Sequence, residues 1–537
     1  MVERDRAIII GVILILVFAT IAPFVMPILS RNFPAIRNPI ISPECSVSDK
    51  FQPEFATRVK ALRQRTSISG SSVNISVGII DPNGFAINSP CIDDNIVETQ
   101  SFWPGHGITN NGRNAHGTVI AKIITAIAPE TNLYLANFNE STSFIRAVKW
   151  AIQKEVDVLV VPVAFYGKPN DGTAPVSQVL GKAVRHGITV VAPSGNIAQR
   201  HWEGIYNGTR LTRINSQSSE TRLYLSNRDT KQQVQIWIWW NQTNSNGTLK
   251  ADVDLVLYRD LGNHSRQIAV SHPYPDDNVK TNELLTATIG KGKYYLRIRG
   301  PVNTPHIIEL ISPSVRFKEP VVSGSILAPA TANAHGVIAV GAARGWGKTA
   351  TVMGLSSQGP TNDGRRGVDI IAPGIVSPSS GVQFSGTSVA VGFTGGVVAL
   401  LHKQQPTASP EKIERILQNT AFDIGSPGID IATGYGMISP KAALAANENQ
   451  QSINNSYLRS RLRCSQKTTC KQLNGFLGLK WVFIRSFRSE YQVWFPRIMN
   501  HLHLLPWLSL QSFFWQVVSV AAVKDDLHLR QSRTPKY

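Results

Sequence analysis

The chain has 537 residues, of which 42% are hydrophobic and 17% charged, with 41 glycines and 31 prolines. That length excludes a mini-protein stapled by disulfides, and the apolar content excludes a wholly disordered chain. With 54 Lys and Arg against 35 Asp and Glu, the net charge of +19 raises nucleic acid or an anionic membrane as a partner.

The surplus is unevenly placed. Residues 1–71 carry +4, residues 72–447 carry +6, and residues 448–537 carry +9. A nucleic-acid enzyme would carry its basic stripe on the folded body, so no nucleic-acid partner is expected. Residues 1–30 read as a signal-anchor or signal peptide. The run 7–29, AIIIGVILILVFATIAPFVMPIL, has no charge and is long enough to span a bilayer. It predicts a membrane partner through 7–29 and an extracytoplasmic body, membrane-anchored or secreted. Export would permit disulfides between Cys45 and Cys91 and between Cys464 and Cys470, with the pairing open.

Residues 31–71 read as a linker or short pro-segment. Short apolar runs follow at 77–80, 133–138, 156–164, 188–195, 337–343 and 368–374, as buried parallel strands require. Helical patterns at 117–127, 143–155, 176–187 and 388–404 alternate with them. This predicts an α/β fold with a doubly wound, mainly parallel sheet, in two parts, 72–201 and 323–447. Between the parts, 202–322 reads as an inserted antiparallel β sandwich. Its segments VQIWIWW (234–240), DVDLVLY (252–258) and YYLRIRG (294–300) alternate in period two. The segment 448–537 is a basic, Trp-rich tail of uncertain structure, with an uncharged stretch at 504–523.

Three residues could carry acyl-transfer chemistry. Asp81 ends the strand VGII, His116 opens the helical HGTVIAKIITAI, and Ser388 lies in SGTSVAVGFTGGVVALL at a Gly-rich turn into a helix. Such chemistry needs an activated hydroxyl, a base in reach, and an acceptor that fixes the base's tautomer. Singly, these residues read as a turn residue, an ordinary histidine and an N-cap. Together they follow the order Asp, His, Ser, one of the known triad orders, and no G-x-S-x-G elbow occurs.

These motifs resemble the subtilisin-like serine proteases, the subtilase family. SGTSVA with GGVVALL is similar to that family's serine block. HGT with IAPETNLYLANF, SQGPTNDGRRGVDIIAPG (357–374) and DIATGYGMISPKAAL (430–444) are similar to further signatures, in the same order. The resemblance covers about 72–201 and 323–447. It implies a serine endopeptidase with Ser388 as nucleophile, His116 as general base and Asp81 orienting it. It implies Asn196, at the end of VVAPSGN, as the oxyanion-hole side chain, and Ala164, Phe165, Tyr166 and Gly167 as the strand that pairs with an extended protein or peptide substrate. No cofactor is required; a structural calcium ion and the oligomeric state are left open.

The sequence departs from the family pattern in several places. Pro-Asn-Gly follows Asp81, Lys122 stands where a small residue is common, Gly392 replaces a proline, and Ala-Phe-Tyr-Gly replaces the usual substrate strand. None removes a proton-transfer group. A catalytically silent surface binding protein is the alternative. A carboxyl-type peptidase of the related sedolisin kind would need a Glu base, which HGT at 116–118 disfavours. The insert resembles small sandwich domains attached to secreted peptidases. Its Trp237, Trp239 and Trp240 are candidates for a binding face, though some read as core. Asp252 and Asp254 lack the further oxygen ligands a calcium site needs. Asn207, Asn241, Asn246 and Asn263 open glycosylation triplets, as expected of an exposed insert.

Overall fold

Strand β1, Ile75–Ile80, is ISVGII, and all but Ser76 of its residues are buried. Burial on both faces makes it a central strand, and the computed structural model places it at the middle of an eight-stranded sheet. The structure describes residues 74–446, apart from 90–91, 110–115, 214–218, 228–229, 241–252, 274–281, 301–305 and 378–382. The apolar run at 7–29, the four cysteines, Asp252, Asn241, Asn246 and the tail lie outside the described residues. Among the described residues no helix is long and apolar enough to cross a membrane.

The first part of the sheet is built from β1, β2 (Ile96–Ser101), β3 (Thr131–Asn137), β4 (Val158–Val160) and β5 (Thr189–Pro193). Helices α1 (His116–Ile127), α2 (Ser141–Gln153) and α3 (Pro175–Arg185) alternate with them. β4 is shorter than the apolar run 156–164. Pro162 has no N–H to give the ladder, so the chain leaves the sheet there. β2 has no apolar run to announce it, because IVETQS lies half-exposed at the sheet edge beside β3.

The chain then leaves for the strands between 201 and 317. One antiparallel sheet orders His272–Pro273, β9 (Asn282–Ile289), β7 (Gln232–Trp240), β11 (His306–Ile311), β6 (His201–Tyr206), Leu211–Arg213 and Ser219–Glu220. A second orders Ser265–Val270, β8 (Asp254–Asp260), β10 (Lys293–Arg299), Leu223–Ser226 and Arg316–Phe317. They share one apolar core, in which Ile236, Ile238, Leu285 and Leu310 meet Leu255, Leu257 and Leu296. Alternating inward residues on both sheets produce it. Trp240 belongs to this core, Trp237 is also buried, and Trp239 is half-buried.

The parallel sheet resumes with β12 (Val337–Arg344), flanked by β5 and by β13 (Ile370–Pro373). Thr351–Val352 adds an antiparallel edge. Helices α4 (Thr387–Gln404) and α5 (Pro410–Thr420) follow. The expected α/β fold and parallel sheet are therefore present, with separate antiparallel sheets. Helix α5 escaped the sequence reading, although Ser409 caps it by accepting the Lys412 N–H and Pro410 opens it.

Candidate active site

Asp81 is the first residue beyond β1, at the carboxyl end of the parallel strands, where sites form in open α/β sheets. It is fully buried. Its Oδ1 accepts the Asn83 N–H at 2.8 Å, an Asx turn that the Pro-Asn-Gly sequence favours. Its Oδ2 lies 2.5 Å from Nδ1 of His116, the first residue of α1. With Nδ1 donating to a carboxylate, Nε2 is left as the acceptor. Burial disfavours the imidazolium of His116. The Asp81 charge and hydrogen bond outweigh it, so the ring titrates above its ordinary value. Gly117 makes this approach available, because a Cβ there would stand 2.9 Å from Asp81 Cβ and 2.8 Å from the Gly84 carbonyl oxygen.

Helix α4 is apolar all round, the pattern of a helix inside a core. Among its residues from Thr387 to His402, Ser388 alone is not buried. Helices α1 and α4 pack closely through glycines. A Cβ on Gly392 would meet Ile120, one on Gly395 would lie near Ile124, and one on Gly396 would meet Ile127. Both series rise together along the chain, so the helices run parallel. One turn before the Ile120–Gly392 contact stand His116 and Ser388, each at a helix start. Ser388 Oγ donates to the Pro162 carbonyl oxygen at 3.0 Å. The Ser388 N–H belongs to the first turn, which has no intrahelical acceptor.

Asn196 follows the end of β5. Its Oδ1 accepts the Thr387 N–H at 2.9 Å and the Thr387 hydroxyl at 3.1 Å. Two donors on one atom fix the amide's orientation, so Nδ2 is the end left to donate. Gly386, with φ of 136°, lets the backbone pass this side chain, since a Cβ there would stand 3.0 Å from it. Asn196 Nδ2 and the Ser388 N–H therefore belong to one corner.

The segment 164–167 continues from β4. The Phe165 N–H donates to the Ala328 carbonyl oxygen at 2.7 Å, and the Phe165 ring packs on Phe144 at 4.9 Å between centroids. Ala164 and Tyr166 face the other way, against Ile197, Ile311 and Leu327. Tyr166 stacks on Trp237 of β7 with centroids 5.4 Å apart, and Asn282 of β9 donates to the Gly167 carbonyl oxygen. The contribution of Trp237, Asn282 and Ile311 to this corner was not legible in the sequence. They are distant in the chain, and their alternation marks them only as strand residues.

Comparison with known proteins finds similarity to one family over part of the chain. Residues 321–436 match the model of the subtilase family. The fold is subtilisin-like. Fervidolysin of Fervidobacterium pennivorans is 36% identical over 126 residues, which are 20% of this chain and 18% of fervidolysin. Subtilisin DY of Bacillus licheniformis is 32% identical over 138 residues, which are 23% of this chain and 47% of subtilisin DY. The chain thus spans less than half the length of either relative it matches. The structure of the Clostridium perfringens CspB protease has a TM-score of 0.50 at 17% identity, covering 70% of this chain and 93% of that one, a likeness of fold.

Proposed function

We propose that the protein is a serine endopeptidase that hydrolyses peptide bonds through an acyl-enzyme on Ser388. The observation that carries this reading is the pairing of α1 and α4. It brings the start of α1, with the Asp81–His116 pair, alongside the start of α4, where Ser388 is the one residue from Thr387 to His402 that is not buried and Asn196 is bonded to the neighbouring Thr387. His116 Nε2 takes the Ser388 Oγ proton as Oγ attacks the substrate carbonyl carbon. Asn196 Nδ2 and the Ser388 N–H donate to the oxygen that becomes negative. His116 then gives the proton to the leaving amine, the carbon–nitrogen bond breaks, and water repeats the sequence to release the acid. Asp81 holds the Nδ1–H tautomer and stabilises the imidazolium. The substrate is an extended protein or peptide pairing with 164–167, and no cofactor takes part. The uncharged run 7–29 supports an extracytoplasmic location and a membrane attachment.

A second reading is favoured by one observation. Ser388 Oγ is hydrogen-bonded to Pro162 and not to His116, as a catalytically silent binding protein would allow. Catalytic hydrogen bonds of free enzymes often form only with substrate. A fluorophosphonate probe separates the two. Stoichiometric labelling that disappears in Ser388→Ala supports the protease. An unlabelled, folded wild type supports the silent protein.

A further inference from the structure

Strands β4 and β5 pair in parallel, with Val160 beside Val191. Beyond them, 162–167 and 193–196 flank one slot. The segment 326–328 forms its floor and is bonded to both flanks. The Leu327 N–H donates to the Ser194 carbonyl oxygen at 3.0 Å, and the Phe165 N–H donates to that of Ala328. Ser388 and Asn196 stand at the slot's mouth, one bonded to Pro162 and the other ending the 193–196 flank. On the protease reading, a substrate carbonyl held by Asn196 Nδ2 and the Ser388 N–H, on a chain paired along 164–166, would direct the side chain of its own residue between the two flanks.

The slot is already filled. Leu327 is fully buried, and its Cδ1 lies 3.2 Å from where a Cβ on Gly195 would stand. Ile311 of β11 and Ile197 complete an apolar cluster with it, and Ala164 and Tyr166 close the sides. The Trp237 ring behind Tyr166 prevents that wall from yielding outward. Ile311 and Trp237 both come from the strands between 201 and 317, which depart five residues after Asn196.

Resting on the protease reading, we propose that Leu327, backed by Ile311, plugs this slot. The enzyme then acts on peptides whose acyl-side residue is glycine or alanine. A leucine side chain and a substrate side chain larger than a methyl cannot share the space, because packed interiors leave few voids. The specificity residues are Leu327 and Ile311; neither touches the reacting atoms.

The test is a fluorogenic peptide library varied at the acyl-side residue, cleaved by the full chain after fluorophosphonate titration of Ser388. Glycine and alanine are expected to exceed leucine, phenylalanine and lysine by at least about 10-fold in kcat/KM. Leu327→Ala is expected to raise leucine and phenylalanine cleavage by about 10-fold. Ile311→Val, a milder change, moves the preference the same way if Leu327→Ala fails to fold. A labelled wild type that cleaves after phenylalanine as well as after alanine overturns the plug. So do folded variants with an unchanged ranking. A wild type that takes no label overturns the protease reading and this proposal with it, so the two failures are distinguishable.

Discussion

Gly392 of α4 packs against Ile120 of α1, with 3.3 Å between Ile120 Cγ2 and the place a Cβ on the glycine would take. This contact sets the distance between the two helix starts and so between His116 and Ser388. The same seam is tighter further along, where a Cβ on Gly396 would stand 2.8 Å from Ile127 Cβ. Gly396→Ala is expected to force the helices apart at a cost of about 1–3 kcal/mol. It should also lower turnover with little effect on KM. Denaturant unfolding and peptide kinetics check both. Unchanged stability would show that the seam is slack.

Asp81→Asn keeps the size of the side chain but can hold His116 in the wrong tautomer. The expected loss in kcat is on the order of 10⁴-fold, with the fold intact. A circular dichroism spectrum matching wild type, together with single-turnover kinetics, gives the answer. Turnover within ten-fold of wild type would remove Asp81 from its assigned role.

Asn196→Asp preserves an oxygen to accept from Thr387 while replacing the Nδ2 donor by an acceptor. Loss of one oxyanion donor costs about 10²–10³-fold in kcat, and a negative oxygen there adds repulsion. The expected loss is therefore at least of that order, with substrate affinity and melting temperature near wild type. A variant with normal kcat would mean that the oxyanion is held elsewhere.

The raised pKa of His116 has opposite consequences for activity and stability. General-base catalysis needs neutral imidazole, so kcat/KM is expected to rise with pH through a value above 6.5. The Asp81–imidazolium pair contributes stability that is fully present below the unfolded histidine's pKa. That contribution is lost as pH rises through the folded value. Asp81→Asn should therefore destabilise most at acidic pH, where the wild type is least active. An activity profile whose acid limb lies below pH 6.5 would contradict the assignment.

How much of this was legible in the sequence depended on how local each signal was. The parallel strands announced themselves because ISVGII and TVVAP are buried on both faces and must be continuously apolar. The motifs around Asp81, His116 and Ser388 were legible because each sits at a strand end or helix start with its own turn chemistry. The edge strand β2 was not, since none of the six residues of IVETQS is fully buried. Nor was the filling of the slot by Leu327. Its role depends on Ile311 and Tyr166, which reach it across 16 and 161 positions of the chain. Trp237 and Trp240 show the same limit: alternation placed both on a strand, but not that one would back Tyr166 and the other enter the sandwich core.

Asp369, away from the site, offers a test of the fold itself. It lies half-buried beside β12, accepts the Ala339 N–H through Oδ2 at 2.8 Å, and accepts from Gln418 through Oδ1. Burial first, and the nearby Glu414 charge second, push its pKa up to about 7. The folded protein therefore keeps this proton well above the pH at which the unfolded chain, near 3.8, releases it. The folded state binds more protons in that window, so this group's contribution to stability falls as pH rises from about 4 to 7. Asp369→Asn can still accept from Ala339 through its amide oxygen, but it does not titrate. The melting-temperature difference, variant minus wild type, is expected to grow in the variant's favour across that range. A difference that stays constant from pH 4 to 7 would mean that Asp369 is ionised in the folded protein, with its charge compensated by Gln418 and the Ala339 N–H.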